Sequence, residues 1–310
     1  MEQVGKRTMS LILAILLDAL LGEPRWLWSR LPHPAVVIGN IISKLSKLMN
    51  HAPQQKRKGV LLVLILAIGG GITGILITWL GPIADAVTVA ILLAHKSLVE
   101  HVSNVAQSLR MSLLSGQRSV AMIVGRDTAD MNTEQVSRAA IESMAENFSD
   151  GFVAPVFWFL VAGLPGIIIY KAINTSDSMI GYKNRTFKDF GWATARVDDV
   201  LNWIPARLSA LCIWAITGFP VKWQLIAQNA KMHRSPNAGW PEAAMAYAME
   251  ISLSGPRSYE GQMRKFPWVN PIGRKDIGPS EIDNAIRILW ATWVGVLALV
   301  TASAILFFFL

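Results

Sequence analysis

The 310-residue chain has a single cysteine, Cys212, so it can build neither a disulfide framework nor a thiolate metal site, and Cys212 in its apolar run reads as a small core residue. Charge is scarce as well. Only 16% of residues are Asp, Glu, Lys or Arg against 52% apolar, which excludes an ordinary soluble enzyme and points to a membrane protein. No GxxxxGK[ST], no GxGxxG opening a helix after a strand and no HExxH occurs, which removes the common nucleotide and zinc signatures. Repeats and low-complexity linkers are lacking too, so the chain reads as one domain, residues 1–310. The net charge of +8 is spread among apolar spans and forms no basic, aromatic-laced face, which speaks against nucleic acid as a partner. Lys and Arg flanking membrane segments on the cytoplasmic side account for the same excess.

The apolar stretches define an all-α, polytopic integral membrane protein. Val60 to Leu80 is uncharged from end to end and matches the ~20 residues that a crossing needs. Its Gly69, Gly70, Gly71 and Gly74 invite a neighbouring helix to approach closely, and Gly81–Pro82 turns the chain into a return helix from Ile83 towards Leu93. At the end of that helix Lys96 and Glu100 stand one turn apart as an expected pair, while His95 and His101 are not at metal-ligand spacing. Ile286 to Leu310 closes the chain as a second confident span, whereas Met9 to Leu21 and Leu208 to Phe219 are short. Asp18 is either a helix-end residue or part of a polar site. Lys6 and Arg7 imitate a signal peptide, yet Gly22–Glu23–Pro24 follows with no small-residue cleavage pattern, so retention is expected. Trp26 and Trp28 suit a membrane interface, and His33, between Pro32 and Pro34, is held rigidly in a structural role.

Between these spans lies a region with too much polar chemistry for its surroundings, Gly125 to Arg207. Asn132 with Gln135 three residues on is a capping box, and Asp150–Gly151 is a stop signal. The intervening helix places Val136, Ala140 and Met144 on one side and Arg138, Glu142 and Glu146 on the other. Lys171, Asn174 and Ser178 share a second polar face with Asp177 at its edge, and Asp198 with Asn202 and Arg196 with Asp199 form a third. Further on, HRSPNAGWPEAAMA starts a helix capped by Asn237 or Gly239, with Pro241 and Glu242 in its first turn. Any one such face is explained by solvation; three beside membrane segments are not. Glu142, Glu146, Asn147, Asp150, Asp177, Asp198 and Asp199 suit Mg²⁺, which prefers one or two carboxylates plus phosphate oxygens. Arg126, Arg138, Lys171, Arg196, Arg207 and Arg257 suit phosphate. Spacing alone leaves three readings open: a membrane enzyme for a phosphorylated substrate, a transporter lined by charges, or a Mg²⁺-dependent prenyltransferase.

The motifs LDALLGEP, LPHPAVVIG, VGRDT, AAIESMAENFSDGFVAP, YKAINTSDSMIGY, DFGWATARVDDVLNWIPARL, HRSPNAGWPEAAMA and GPRSYEG, in this order, closely resemble the CobD/CbiB family, the adenosylcobinamide-phosphate synthases of cobalamin biosynthesis. The resemblance covers nearly the whole chain. It implies a multi-pass enzyme of the cell (inner) membrane, in contact with lipid and with its site facing the cytoplasm. The implied reaction joins the propionate carboxylate of adenosylcobyric acid to the amine of (R)-1-aminopropan-2-ol or its O-phosphate, with ATP as co-substrate and Mg²⁺ as cofactor. A corrinoid transporter or binding protein is the rival class. Within the matching motifs, residue type assigns Glu142, Glu146, Asp150 and Asp198 or Asp199 to metal or amine deprotonation, with Mg²⁺ at Glu146, Asp150 and Asp198. Arg126, Lys171, Arg196 and Arg207 go to phosphate, and Asn147, Asn174, Asp177, Asn237 and Glu242 orient substrate, with Asp127 and Arg257 beside them. The oligomeric state is left open.

Charge bias adds a topological expectation. Lys44, Lys47, Lys56, Arg57 and Lys58 place their loop in the cytoplasm and the Gly81 turn outside, so residues 100–151 are cytoplasmic. A full crossing by Phe152 to Tyr170 would put Lys183, Arg185, Lys188 and Arg196 outside; that segment carries Pro155 and Pro165 and reads as kinked. It and Leu208 to Phe219 are therefore expected to dip in and return or to pack obliquely, so that the two polar regions face each other. A reporter fused after Asn184 should register as cytoplasmic, and an external signal would overturn this topology.

Overall fold

The structure is a computed structural model that describes residues 2–259 and 261–309, without the side chains of residues 2–4, 6, 25, 259 and 307–309. The Lys6 side chain and Glu260 of GPRSYEG thus lie outside the described residues. In chain order the helices are α1 (Glu2–Leu21), α2 (Arg25–Trp28), α3 (Pro34–Met49), α4 (Gln55–Thr78), α5 (Pro82–Leu92), α6 (His95–Met111), α7 (Leu113–Val120) and α8 (Thr133–Phe148). A π-turn, Ser149–Val153, leads into α9 (Ala154–Ile180), followed by α10 (Trp192–Leu201), α11 (Trp203–Ile216), α12 (Trp223–Ala230) and α13 (Gly239–Ala248). Four short strands come next, β1 (Leu253–Ser254), β2 (Arg257–Tyr259), β3 (Gln262–Arg264) and β4 (Trp268–Val269), then α14 (Pro279–Phe309). β1 pairs antiparallel with β4 and β2 with β3. Four helical stretches are long and apolar enough to cross a membrane: Gln55–Thr78, Pro82–Met111, Thr133–Ile180 and Pro279–Leu306.

The packing groups into two compact units. Unit 1 comprises Met1–Lys96, Ala154–Asn202 and Val300–Leu310. Its centre is the contact of α4 with α9, and glycine makes it possible. A side chain at Gly74 would run into the backbone of Leu164 and Pro165, and one at Gly70 would meet Ile169 at 3.3 Å. Leu62 and Leu66 on the same stripe of α4 pack with Ile42, Ile173, Ile180 and Phe190. The opposite stripe, with Leu61, Leu64, Ile68, Ile72 and Ile75, is exposed, as a lipid-facing surface is. His33 caps α3, its Nδ1 accepting from the Ala35 amide at 3.2 Å, and Asp18 accepts from the His95 amide at 3.2 Å where α6 begins. Of the two readings of Asp18, the helix-end role is the one seen. Unit 2 comprises Ser97–Val153 and Trp203–Leu299. In it α13 is the hub, packed against α8, α11, α12 and the β1·β4 pair.

Several local expectations change. The stop at Asp150–Gly151 is not used, because the chain stays helical through the π-turn, where one extra residue is accommodated instead of a cap. α9 is kinked, as its prolines suggested, but the non-helical residue is Gly163 (φ 66°, ψ −154°), two residues before Pro165, since only glycine accepts that geometry cheaply. α1 begins at Glu2 and α14 at Pro279, earlier than their apolar runs, and Glu281 reaches back to the Gly278 amide at 2.7 Å. Lys96 donates to the Leu20 carbonyl instead of meeting Glu100. Neither Asn237 nor Gly239 caps α13; the N-cap is Ala238, and the Ser235 hydroxyl accepts from the Asn237 and Ala238 amides. Cys212 is half-buried. A Gly74→Leu substitution should cost at least ~1–3 kcal/mol by overpacking and lower both the yield and the thermal midpoint in detergent. Gly69→Ala, where a side chain meets nothing within 4 Å, should lower neither.

Candidate functional site

Two of the three residues on the polar stripe of α8 are not solvated. Arg138 is 7% and Glu142 3% exposed, so both charges are buried in unit 2. The capping box sets the phase of this helix: Asn132 and Gln135 exchange two bonds at 2.8 and 2.9 Å, and Arg138 and Glu142 follow one turn apart. Glu142 Oε2 accepts from Arg126 Nη2 at 2.8 Å and from Arg257 Nη1 at 3.0 Å, and Oε1 accepts from the Ser254 amide at 2.6 Å. Arg257 Nη2 also donates to Ser254 Oγ at 2.7 Å. Ser254 has φ +63°, a left-handed conformation that a non-glycine residue adopts only under constraint; its pairing with Trp268 supplies that constraint. Arg138 donates from Nε to the Ser252 carbonyl at 3.4 Å and lies over the Trp268 ring at 4.7 Å. Asp127 ties VGRDT to GPRSYEG, accepting from the Ser258 hydroxyl at 2.7 Å and the Gly261 amide at 2.8 Å.

Further along α8 the environment opens. Glu146 and Asn147 are exposed and Asp150 is half-buried, while Asn147 donates to the Ser143 carbonyl at 2.8 Å. On α13, Glu242 is buried, and burial first, then Glu142 and Glu146, pushes its carboxyl well above the ordinary range. Burial likewise pushes its neighbour His233 down to about 4. His233 Nδ1 accepts from the Ser235 amide at 3.1 Å, so at neutral pH the uncharged imidazole carries its proton on Nε2, 3.6 Å from Glu242 Oε1. Arg207 is sandwiched between the rings of Trp203 (4.2 Å) and Trp240 (4.6 Å) and donates to Asn237 Oδ1 at 3.4 Å.

Unit 1 holds a second polar centre, between α9 and α10. Asp198 accepts from Asn174 Nδ2 at 3.2 Å and Asn202 Nδ2 at 3.0 Å, and Tyr170 donates to Asn202 Oδ1 at 2.9 Å. Burial, reinforced by the nearby Asp177 carboxylate, pushes the Asp198 carboxyl up to about 7. Asp199 meets Arg196 at 3.7 Å with Arg196 largely exposed, and Lys171 is half-buried. Of the residues named from sequence, Arg126, Asp127, Glu142, Glu146, Asn147, Asp150, Arg207, Asn237, Glu242 and Arg257 therefore belong to unit 2. Lys171, Asn174, Asp177, Arg196, Asp198 and Asp199 belong to unit 1. Among the described residues no three His, Cys, Asp or Glu side chains converge as a metal cage. Ser254, Ser258, His233 and Tyr170 take part without having been singled out. Ser258, His233 and Tyr170 lie inside the quoted motifs and Ser254 beside one, but none stands in a helical pattern of charges that would have marked it.

Among the described residues four membrane-capable helices define a polytopic membrane protein, with buried ion pairs in unit 2. The CobD/Cbib protein family matches residues 11–289. A Cobalamin biosynthesis protein CobD of Rhizobium meliloti is 45% identical over 300 residues, covering 91% of this chain and 92% of that protein. Proteins of the same name from Sinorhizobium fredii (43%, covering 96% and 95%) and Rhodobacter capsulatus (40%, covering 96% and 97%) are similar along their whole length. The chain belongs to the CobD/CbiB family, and its role lies in cobalamin biosynthesis. No solved structure matches it.

Because the folded pKa of Asp198 is raised, the folded protein binds an extra proton between the ordinary carboxylate value and about 7. The associated stability is present at the acid end of that window and lost as the pH rises through about 7. Thermal unfolding followed from roughly pH 5 to 8 should show the midpoint fall, and Asp198→Asn should flatten that fall. An unchanged slope in the variant would contradict it.

Proposed function

We propose that this chain is the amide-forming adenosylcobinamide-phosphate synthase of cobalamin biosynthesis, acting on a corrinoid at the cytoplasmic face of the inner membrane. One observation carries the reading. The family-like motifs deliver charged residues to buried positions, Arg126 from VGRDT, Glu142 from AAIESMAENFSDGFVAP and Arg257 from GPRSYEG, and burial of charge costs too much to serve as packing.

Amide formation from a carboxylate and an amine needs an activated acyl group and a free amine. In the proposed sequence the propionate oxygen of adenosylcobyric acid attacks the terminal phosphorus of ATP, releasing ADP and leaving an acyl phosphate. The amine of (R)-1-aminopropan-2-ol or its O-phosphate then attacks the acyl carbon, phosphate leaves, and one proton passes from nitrogen to a base. Asp198 is the base, since a carboxyl titrating near neutrality can both take and release that proton at physiological pH. Asn174 and Asn202 hold its two oxygens, and Asp177 keeps it basic. Within unit 2 the guanidiniums of Arg126, Arg207 and Arg257, and within unit 1 the Lys171 ammonium, are the groups suited to compensate phosphate charge. Asn147, Asn237 and Glu242 orient the substrates. Glu146 and Asp150, exposed and half-buried, fit a Mg²⁺ that takes one or two protein carboxylates together with phosphate oxygens, where it would neutralise charge on the nucleotide.

Purified protein given adenosylcobyric acid, aminopropanol phosphate and Mg-ATP should yield the amide, detected by mass. Asp198→Asn should lower the rate by about 10²–10⁴-fold. No product with either amine, or ATP-independent corrinoid flux across vesicles, would overturn the reading.

A further inference from the structure

Arg126, Arg138 and Arg257 line one cleft of unit 2, about 50 Å³ in volume. One water takes ~10–15 Å³ on this measure, so a group of a few heavy atoms fits and a nucleoside does not. The three guanidiniums share one buried carboxylate. Glu142 pairs with Arg126 and Arg257, whereas Arg138 has no carboxylate in ion-pair range among the described residues. Arg257, 10% exposed, leaves its buried Nε with no acceptor among the described residues. Three buried guanidiniums against one carboxylate leave positive charge uncompensated, and an anion entering the cleft offsets it. Ser254 and Ser258 also line it. At its mouth stand Asp127, already engaged by Ser258 and Gly261, and the exposed Asp130.

We propose that this cleft docks the terminal phosphoryl group of a ligand that carries a cation beside it, with Arg138 and Arg257 on the phosphoryl oxygens and Asp130 on the cation. Planar guanidiniums grip phosphate oxygens in pairs, and the carboxylate at the mouth rejects a ligand whose second group is anionic. The inference deepens the reading above, that the chain handles phosphorylated substrates. The cation is the ammonium of a phosphorylated amine or the Mg²⁺ of a nucleotide.

Calorimetric titration of the full-length protein in detergent with inorganic phosphate, phosphoethanolamine and Mg-ATP separates these sources. Arg138→Gln leaves Glu142 and both its partners in place, and it should weaken every probe that binds by about tenfold or more. The paired substitution Arg257→Gln with Glu142→Gln, which removes a cation together with its counter-ion, should do the same should Arg138→Gln not fold. Asp130→Asn should weaken phosphoethanolamine alone if the ligand is an amine phosphate and Mg-ATP alone if it is a nucleotide, while inorganic phosphate binds no worse. Binding indifferent to Arg138, or organic probes that inorganic phosphate does not displace, would overturn the proposal. Amide synthesis that persists with such indifferent binding would sink the cleft and spare the enzyme reading; Arg138-dependent phosphate binding without amide product would do the reverse.

Discussion

The buried carboxylate of Glu142 is the constraint on which unit 2 depends. A charge taken out of water must be met on every lone pair, and Glu142 is met by two guanidiniums and one amide drawn from three separate stretches of chain. Much of the surrounding architecture serves that convergence. The capping box phases α8, the strained Ser254 aims its amide, and Asp127 clips the loop carrying Arg126 to the hairpin carrying Arg257. Removing one partner of such a cluster typically costs ~3–5 kcal/mol, because the charge left behind stays buried. Glu142 thus organises the arginines, both its oxygens accepting hydrogen bonds.

Unit 1 reaches a polar centre by a different route. Its Asp198 is met by carboxamides and, among the described residues, by no cation in ion-pair range, so its charge is weakly supported and its proton is held until about neutral pH. The device works only because α9 is held in place, and Gly70 and Gly74 allow α4 to pack directly on its backbone. Apolar close packing in one part of the helix therefore positions the Asn174 side chain further along it. The two centres differ in the physical property they offer: unit 2 holds surplus positive charge, and unit 1 holds a carboxyl able to exchange a proton near pH 7.

Legibility in the sequence followed the range of the signal. The capping box at Asn132 and Gln135, the glycine stripe of α4 and the pairing of Arg196 with Asp199 are local patterns, and each is found in the structure. Signals that compete with tertiary packing were overridden. Asp150–Gly151 reads as a stop, yet the π-turn carries the chain onward, and the Asn237 side chain turns to Arg207 instead of capping α13. Lys96 finds a carbonyl closer than its expected partner.

The sequence by itself determined the helical, membrane-spanning class and, through its ordered motifs, the CobD/CbiB family, because hydropathy and motif order are properties of the chain read in one dimension. Tertiary structure alone decided that the Arg138–Glu142 stripe faces inward and that Arg126 and Arg257 share one carboxylate. It alone decided that burial pushes the Asp198 carboxyl up to about 7 and the Glu242 carboxyl well above its ordinary range. Desolvation and partner choice depend on which segments meet in space, and residues as far apart as Glu142 and Arg257 carry no sign of their meeting in the order of the chain.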